Sequence, residues 1–203
     1  MSEYSVSSVT PVPAKREVRA AVLAARRAMT PAAVAEADAA LAGRLTELVT
    51  PGAAWTVCAY VPIAGEPGGP DLADRLAAVP GVARVLLPVL RADRDLDWAA
   101  YAGPESLAPA AFGLREPTGP RLGVTGITSA ELVLVPAVAV DRRGIRLGRG
   151  GGSYDRALAR VRPGTAVIAL LYDGELRDAV PAEEHDQRVG GALMPSGLRR
   201  IPG

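Results

Sequence analysis

Four short, nearly unbroken apolar runs leave few folds open to this chain: TVCAYVP (56–62), ARVLLPVL (83–90), LVLVPAVAV (132–140) and AVIALLY (166–172). They do not alternate apolar with polar, so strands built from them suit burial on both faces, as in a parallel sheet covered by helices. Helical patterns fall between them, PDLADRLAAV (70–79) and SYDRALARV (153–161). Strand and helix in alternation predict an α/β layered fold. Two further helices precede the first run. KREVRAAVLAARRAM (15–29) places Val18, Val22 and Leu23 on one face. Thr30 is a good N-cap and Pro31 a tolerated first helical residue, so a second helix starts there. It runs to about Val49 and stops at Pro51-Gly52. LDWAAY (96–101) reads as an extra strand, and FGLREPTGP (112–120) as a loop. Residues 1–13 lack periodicity and are expected to form a disordered arm, with 14–203 a single domain.

Composition narrows the partners. Hydrophobic residues make up 49% but aromatics only 4%, so the core must come mainly from Ala, Val and Leu. A net charge of +1 gives no reason to expect nucleic acid or an acidic membrane. The longest apolar run falls far short of the roughly 20 residues that span a bilayer, and the polar N-terminus has no apolar signal core. One cysteine, Cys58, permits no internal disulfide and suits a reducing cytoplasm; inside an apolar strand it reads as an inert thiol. The expectation is a cytoplasmic monomer that acts on small molecules.

The chemistry is concentrated in RLGRGGGSYDRALARV (146–161). Glycine is entropically costly, so a cluster of it marks backbone that must approach something closely, or turns that only glycine can make. With a strand before it and a helix after it, the segment lies where α/β folds bind ligands. A helix N-terminus offers unpaired N–H groups and a partial positive charge, and Arg146 and Arg149 add donors suited to phosphate. No Lys-Ser or Lys-Thr follows the glycines, which excludes a Walker loop, and the spacing misses the dinucleotide fingerprint. Glycine content therefore suggests phosphate and leaves the ligand open. Lys15 and Arg19 lie four apart on one helical face, a second basic feature that is either solvated or aimed at phosphate.

RLGRGGGSYDRAL resembles the signature of the 5-formyltetrahydrofolate cyclo-ligase family: Arg-Leu-Gly-x-Gly-x-Gly, two aromatics, then Asp-Arg. Other segments are similar to that family in the same order: KREVR, YVPIAGEP, LLPVL, FGLREP, LVLVPAVAVDRRGIRLG and VPAEEHDQRV. The resemblance implies a three-layer α/β/α sandwich with a mostly parallel, Rossmann-like central sheet, and an ATP- and Mg²⁺-dependent ligase. It places Lys15, Arg19, Arg146, Leu147, Gly148, Arg149, Gly150, Gly151, Gly152, Ser153 and Tyr154 on the nucleotide, with Lys15 and Arg149 catalytic. Glu66 and Tyr154 fall to the folate, and Asp155 and Asp186 to the metal. On residue type alone, Asp155 equally suits a helix dipole and Asp186 a turn. Trp98 reads as a pocket or a core residue, Tyr60 as a strand residue facing the core, and His185, the only histidine, stays outside the catalytic set. Three positions depart from the pattern. Ser153 replaces the first aromatic, Val140 an aromatic before Asp141, and Gly190 an aspartate after Val189. Ser153 is expected to weaken folate binding and spare ATP binding. The rival expectation is a repurposed relative that binds a nucleotide or phosphometabolite without turnover.

Overall fold

The computed structural model describes residues 14–50, 52–63, 65–183 and 186–202; the expected N-terminal arm and His185 lie outside them. α1 (Lys15–Ala28) starts where the Glu17 carboxylate accepts the Ala14 N–H at 3.2 Å. Thr30 caps α2 (Pro31–Arg44) by accepting the Ala33 N–H at 3.2 Å. The second helical pattern ends earlier than its sequence suggests, in a 3₁₀ turn over Leu45–Leu48.

The chain then alternates. β1 (Trp55–Cys58) leads to α3 (Leu72–Ala77), β2 (Val82–Leu90) and β3 (Leu96–Ala100). A small hairpin of β4 (Leu107–Pro109) and β5 (Arg115–Pro117) precedes β6 (Leu132–Pro136), β7 (Ala139–Asp141) and β8 (Arg146–Leu147). α4 (Ser153–Leu158), β9 (Ala166–Leu170), β10 (Leu176–Arg177), β11 (Gly191–Met194) and β12 (Gly197–Arg200) complete it. Seven strands form the main sheet in the order β12-β11-β9-β6-β1-β2-β3. The five inner strands are parallel, and an antiparallel strand closes each edge.

Strand residues alternate between faces, and each face has its own core. Val57, Leu87, Leu132 and Leu134 pack under Leu41 of α2 and Leu72 and Leu76 of α3. Cys58, Leu86, Val133 and Val135 pack with Ile127, with Ala157 and Leu158 of α4, and with Trp98. This is the expected three-layer arrangement. Cys58 is free and fully buried, and burial pushes its thiol well above the ordinary range, in keeping with an inert side chain.

Four sequence expectations change in detail. TVCAYVP pairs as a strand only to Cys58. LVLVPAVAV is two strands, because Pro136 has no N–H for the next rung. β6 stops there, and β7 joins a separate three-stranded sheet between β10 and β8. FGLREPTGP contains β5. The helix expected over 153–161 is only six residues long.

The small sheet places α1. Val18 packs against Ala139, Ile145, Leu147 and Val180. Arg26 grips Glu175 through two 2.7 Å bonds and donates a third to the Ala137 carbonyl. Asp141, fully buried, accepts the N–H groups of Arg143, Ile145 and Val180, which fixes the turn into β8. Burial raises its carboxyl, but the Arg143 guanidinium and those N–H groups outweigh burial and hold it below the usual carboxylate range.

Candidate active site

β1 and β6 are neighbours, yet the chain leaves β1 for β2 on one side and later adds β6 on the other. That reversal of strand order opens a crevice at the carboxyl ends of the strands. A cleft of about 500 Å³ occupies it, walled by the loop after β1, the ends of β2 and β3, and the chain from Pro136 to Asp155. Every residue assigned above to nucleotide, folate or metal lines this cleft. A second cavity of about 900 Å³ opens between α1 and α2, but Arg149 is the only one of those residues that lines it.

The glycine-rich segment has three positions that disfavour another residue: Gly150 and Gly152, with φ +101 and +70, and Gly148, crowded by a guanidinium. A Cβ on Gly148 would lie 2.8 Å from the Arg146 guanidinium. Gly152 sits at the N-cap of α4 with φ +70, a left-handed conformation that side chains disfavour. Arg19 reaches across from α1 and donates to the Gly148 carbonyl at 2.7 Å, tying the helix to the loop.

The charged groups are paired with one another. Lys15 Nζ lies 2.8 Å from Asp186 and 3.3 Å from Glu183. Burial of the ammonium works against the proton, but the hydrogen bonds it donates to those two acids win and raise the Lys15 pKa. Arg149 donates to Glu66 at 2.8 Å, and the other Glu66 oxygen accepts the Ile63 N–H at 3.1 Å. Arg146, with a side chain only 4% exposed, donates to Asp155 at 3.0 Å and to the Pro136 carbonyl at 3.3 Å. Its Nε is buried without a hydrogen-bond partner among the described residues. Arg146 is thus held in place rather than mobile. It positions Asp155, whose carboxylate also accepts the Gln187 N–H at 3.3 Å. That bond brings the Asp186 segment against α4.

Tyr154 lies beneath the Arg146 guanidinium, 5.7 Å from ring centroid to Cζ, and packs against both cores. Burial and the Glu66 carboxylate push its phenol far up, so it stays neutral. Tyr60 is a core residue that also lines the cleft, and its hydroxyl donates to the Pro67 carbonyl at 2.6 Å. Trp98 is fully buried in the core and does not line the cleft. Leu147 is buried in the small core and touches the cleft from below.

Sequence reasoning missed part of the wall. Leu90, Leu96 and Leu114 form an apolar end with Arg115 and Glu116 beside them, and Glu183 lines the cleft next to Lys15. FGLREP was the available signal for Leu114 and Arg115. Glu183 had none beyond its place in VPAEEHDQRV.

Among the described residues no group of three or more His, Cys, Asp or Glu side chains is gathered for a metal, so a cation here would draw on one or two carboxylates and on the ligand. Asp155 and Asp186 both line the cleft and offer hard carboxylate oxygens of the kind Mg²⁺ takes, each now held by a cation, Arg146 and Lys15 respectively.

Comparison with known proteins gives the family and the fold. The family model described as the 5-formyltetrahydrofolate cyclo-ligase family matches residues 11–195. The 5-formyltetrahydrofolate cyclo-ligase of Mycolicibacterium smegmatis is 47% identical over 187 residues, covering 89% of this chain and 93% of that protein. The Escherichia coli K12 protein of the same name is 29% identical over 174 residues, covering 84% and 94%. The NMR structure of Aquifex aeolicus 5,10-methenyltetrahydrofolate synthetase, 24% identical, shares the fold with a TM-score of 0.76 over 93% of each chain. The chain belongs to the 5-formyltetrahydrofolate cyclo-ligase family.

Proposed function

We propose that this protein uses ATP and Mg²⁺ to cyclise 5-formyltetrahydrofolate to 5,10-methenyltetrahydrofolate, with release of ADP and phosphate. The observation that carries the proposal is a single cleft holding a basic, glycine-walled end, two metal-suited carboxylates and an adjoining apolar end. The N5-formyl group is amide-like and a poor electrophile. Its oxygen attacks the γ-phosphorus of ATP, and the bond to the β-phosphate oxygen breaks as ADP leaves. N10 then attacks the formyl carbon and loses its proton, and the phosphorylated oxygen departs as phosphate to close the ring. No protein nucleophile is required, so positioning and charge neutralisation supply most of the rate.

The roles proposed for individual side chains are supported by their place in this cleft. Lys15, Arg19, Arg149 and the N–H groups of Gly148 to Gly152 meet the phosphates, and Lys15 and Arg149 neutralise charge on the transferred group. Asp155 and Asp186 would hold Mg²⁺, which supplies further neutralisation of phosphate oxygens. The phosphates draw Lys15 off Asp186 and Arg149 off Glu66, so the same ligand that takes the cations frees the carboxylates. Glu66 then accepts N–H bonds from the pterin edge, with Tyr154 beside the ring. Ser153 leaves that pocket wider than an aromatic would.

Asp155→Asn and Asp186→Asn test the metal assignment. Each keeps shape and removes a charge that the cation uses, so activity should fall and the Mg²⁺ concentration for half-maximal rate should rise about tenfold. Mg²⁺ titrations and melting curves on the two variants separate the alternatives. A variant that loses stability but keeps the wild-type Mg²⁺ requirement marks that aspartate as structural.

A further inference from the structure

Arg115 stands alone at the apolar end of the cleft. It lies on β5, antiparallel to β4, and lines the cleft beside Leu90, Leu96 and Leu114. Its guanidinium has only two long contacts, 3.4 Å each, to the carbonyls of Pro104 and Leu107, and it forms no ion pair among the described residues. Of the other cations that line the cleft, Arg19 is spent on the Gly148 carbonyl at 2.7 Å and the rest are ion-paired. Lys15, Arg146 and Arg149 each hold a carboxylate within 3.0 Å. The neighbouring Glu116 is already used, since its carboxylate accepts the Leu90 N–H at 2.9 Å and so fastens the hairpin to β2.

Sheet order sets the sequence of groups along the cleft. Glu66 follows β1, Leu90 ends the neighbouring β2 and Leu96 begins β3, and Glu116 fastens the β4–β5 hairpin to β2, while the glycine-rich chain follows β8 of the small sheet and meets Glu66 through Arg149. Neighbouring strands lie about 4.8 Å apart, so the pairing of β1 with β2 sets the Glu66 loop beside the apolar wall. A ligand lying along this line meets phosphate donors, then a carboxylate, then apolar side chains, then an unpaired cation. A reduced folate carries groups that match the last three in that order: a pterin with N–H donors, an aromatic p-aminobenzoyl ring, and a glutamate with free carboxylates. We propose that Arg115 is a specificity residue that binds the carboxylates of the substrate's glutamate tail, while Leu90, Leu96 and Leu114 cover its benzoyl ring. The assignment rests on the folate reading of the cleft given above.

The test compares two ligands in direct binding. Calorimetric titration of 5-formyltetrahydrofolate should show about fivefold weaker binding to Arg115→Ala than to wild type, as expected for a partly exposed charge pair. 5-Formyltetrahydropteroate, which lacks the glutamate, should bind both proteins equally, and ATP affinity should not move. In turnover, the KM for the folate should rise by the same factor while the KM for ATP stays fixed, and Arg115→Lys should restore part of the loss. Equal losses for both ligands would show that Arg115 merely supports the hairpin, and no loss for either would remove it from the site; both overturn the assignment. Wild type that converts the folate while Arg115→Ala binds it normally sinks only the tail contact. Wild type that neither binds nor converts the folate sinks the folate reading and the tail contact together.

Discussion

Lys15→Ala should weaken Mg·ATP binding by about tenfold to a hundredfold, the range expected when one charge-assisted hydrogen bond worth about 1.5–3 kcal/mol is lost. The side chain is 18% exposed, and that of its partner Asp186 only 8%, so both charges are partly withdrawn from water. In the free protein the ammonium neutralises Asp186 and Glu183. In the complex it is to neutralise phosphate, leaving Asp186 to the metal. Removing it therefore removes a phosphate partner and also leaves Asp186 without its cation before ligand arrives. Calorimetry with a non-hydrolysable ATP analogue reads the first effect, and thermal melting reads the second. Lys15→Arg should recover much of the affinity, because charge is kept although the compact ammonium becomes a wider fork. Unchanged nucleotide affinity in Lys15→Ala would take α1 out of the site.

Glu175→Gln should lower stability more than any other single change discussed for this fold. Arg26 and Glu175 have side chains only 3% and 8% exposed and are joined by two 2.7 Å bonds, while the Arg26 NH1 is buried without a partner among the described residues. Glu175 also accepts the Tyr172 N–H at 2.9 Å, and the guanidinium lies 5.6 Å from the Tyr172 ring centroid. Neutralising the acid leaves a guanidinium in the interior with no counter-charge, which costs about 3–5 kcal/mol. For a chain of this length that is a fall of about 6–20 °C in melting temperature. The functional consequence follows from position. This pair fixes the C-terminal half of α1 to the small sheet, and the N-terminal half of the same helix carries Lys15 and Arg19. Nucleotide affinity in Glu175→Gln should therefore also fall, well below the transition temperature. A melting temperature within about 2 °C of wild type would show that α1 is held by Val18 and its apolar neighbours instead.

The layered fold was legible because a strand buried on both faces has no polar positions to hide its identity. LVLV at 132–135 and VLL at 85–87 state it directly. What the runs could not show was where pairing changes partner. LVLVPAVAV reads as one strand by hydrophobicity, and Pro136 divides it between two sheets through a missing donor rather than a missing apolar side chain. β8 was hidden for the opposite reason, since two residues inside a glycine-rich segment carry no period at all. In the cleft, residue type and motif order named Lys15, Arg19, Glu66 and the carboxylates. Nothing in the sequence tells that Arg146 is spent on Asp155 and the Pro136 carbonyl, or that Arg149 faces Glu66, because those partners are 9, 10 and 83 positions away. Arg115 was hidden in a stretch read as loop, and only the hairpin brings it to the cleft.

The most direct measurement mixes the protein with 5-formyltetrahydrofolate and Mg·ATP and follows the absorbance of 5,10-methenyltetrahydrofolate. The absorbance should grow in proportion to enzyme, require both ATP and Mg²⁺, and be matched mole for mole by ADP and phosphate. A protein that binds ATP yet forms no methenyl product at any folate concentration would contradict the account, and would leave a nucleotide-binding relative that has lost the reaction.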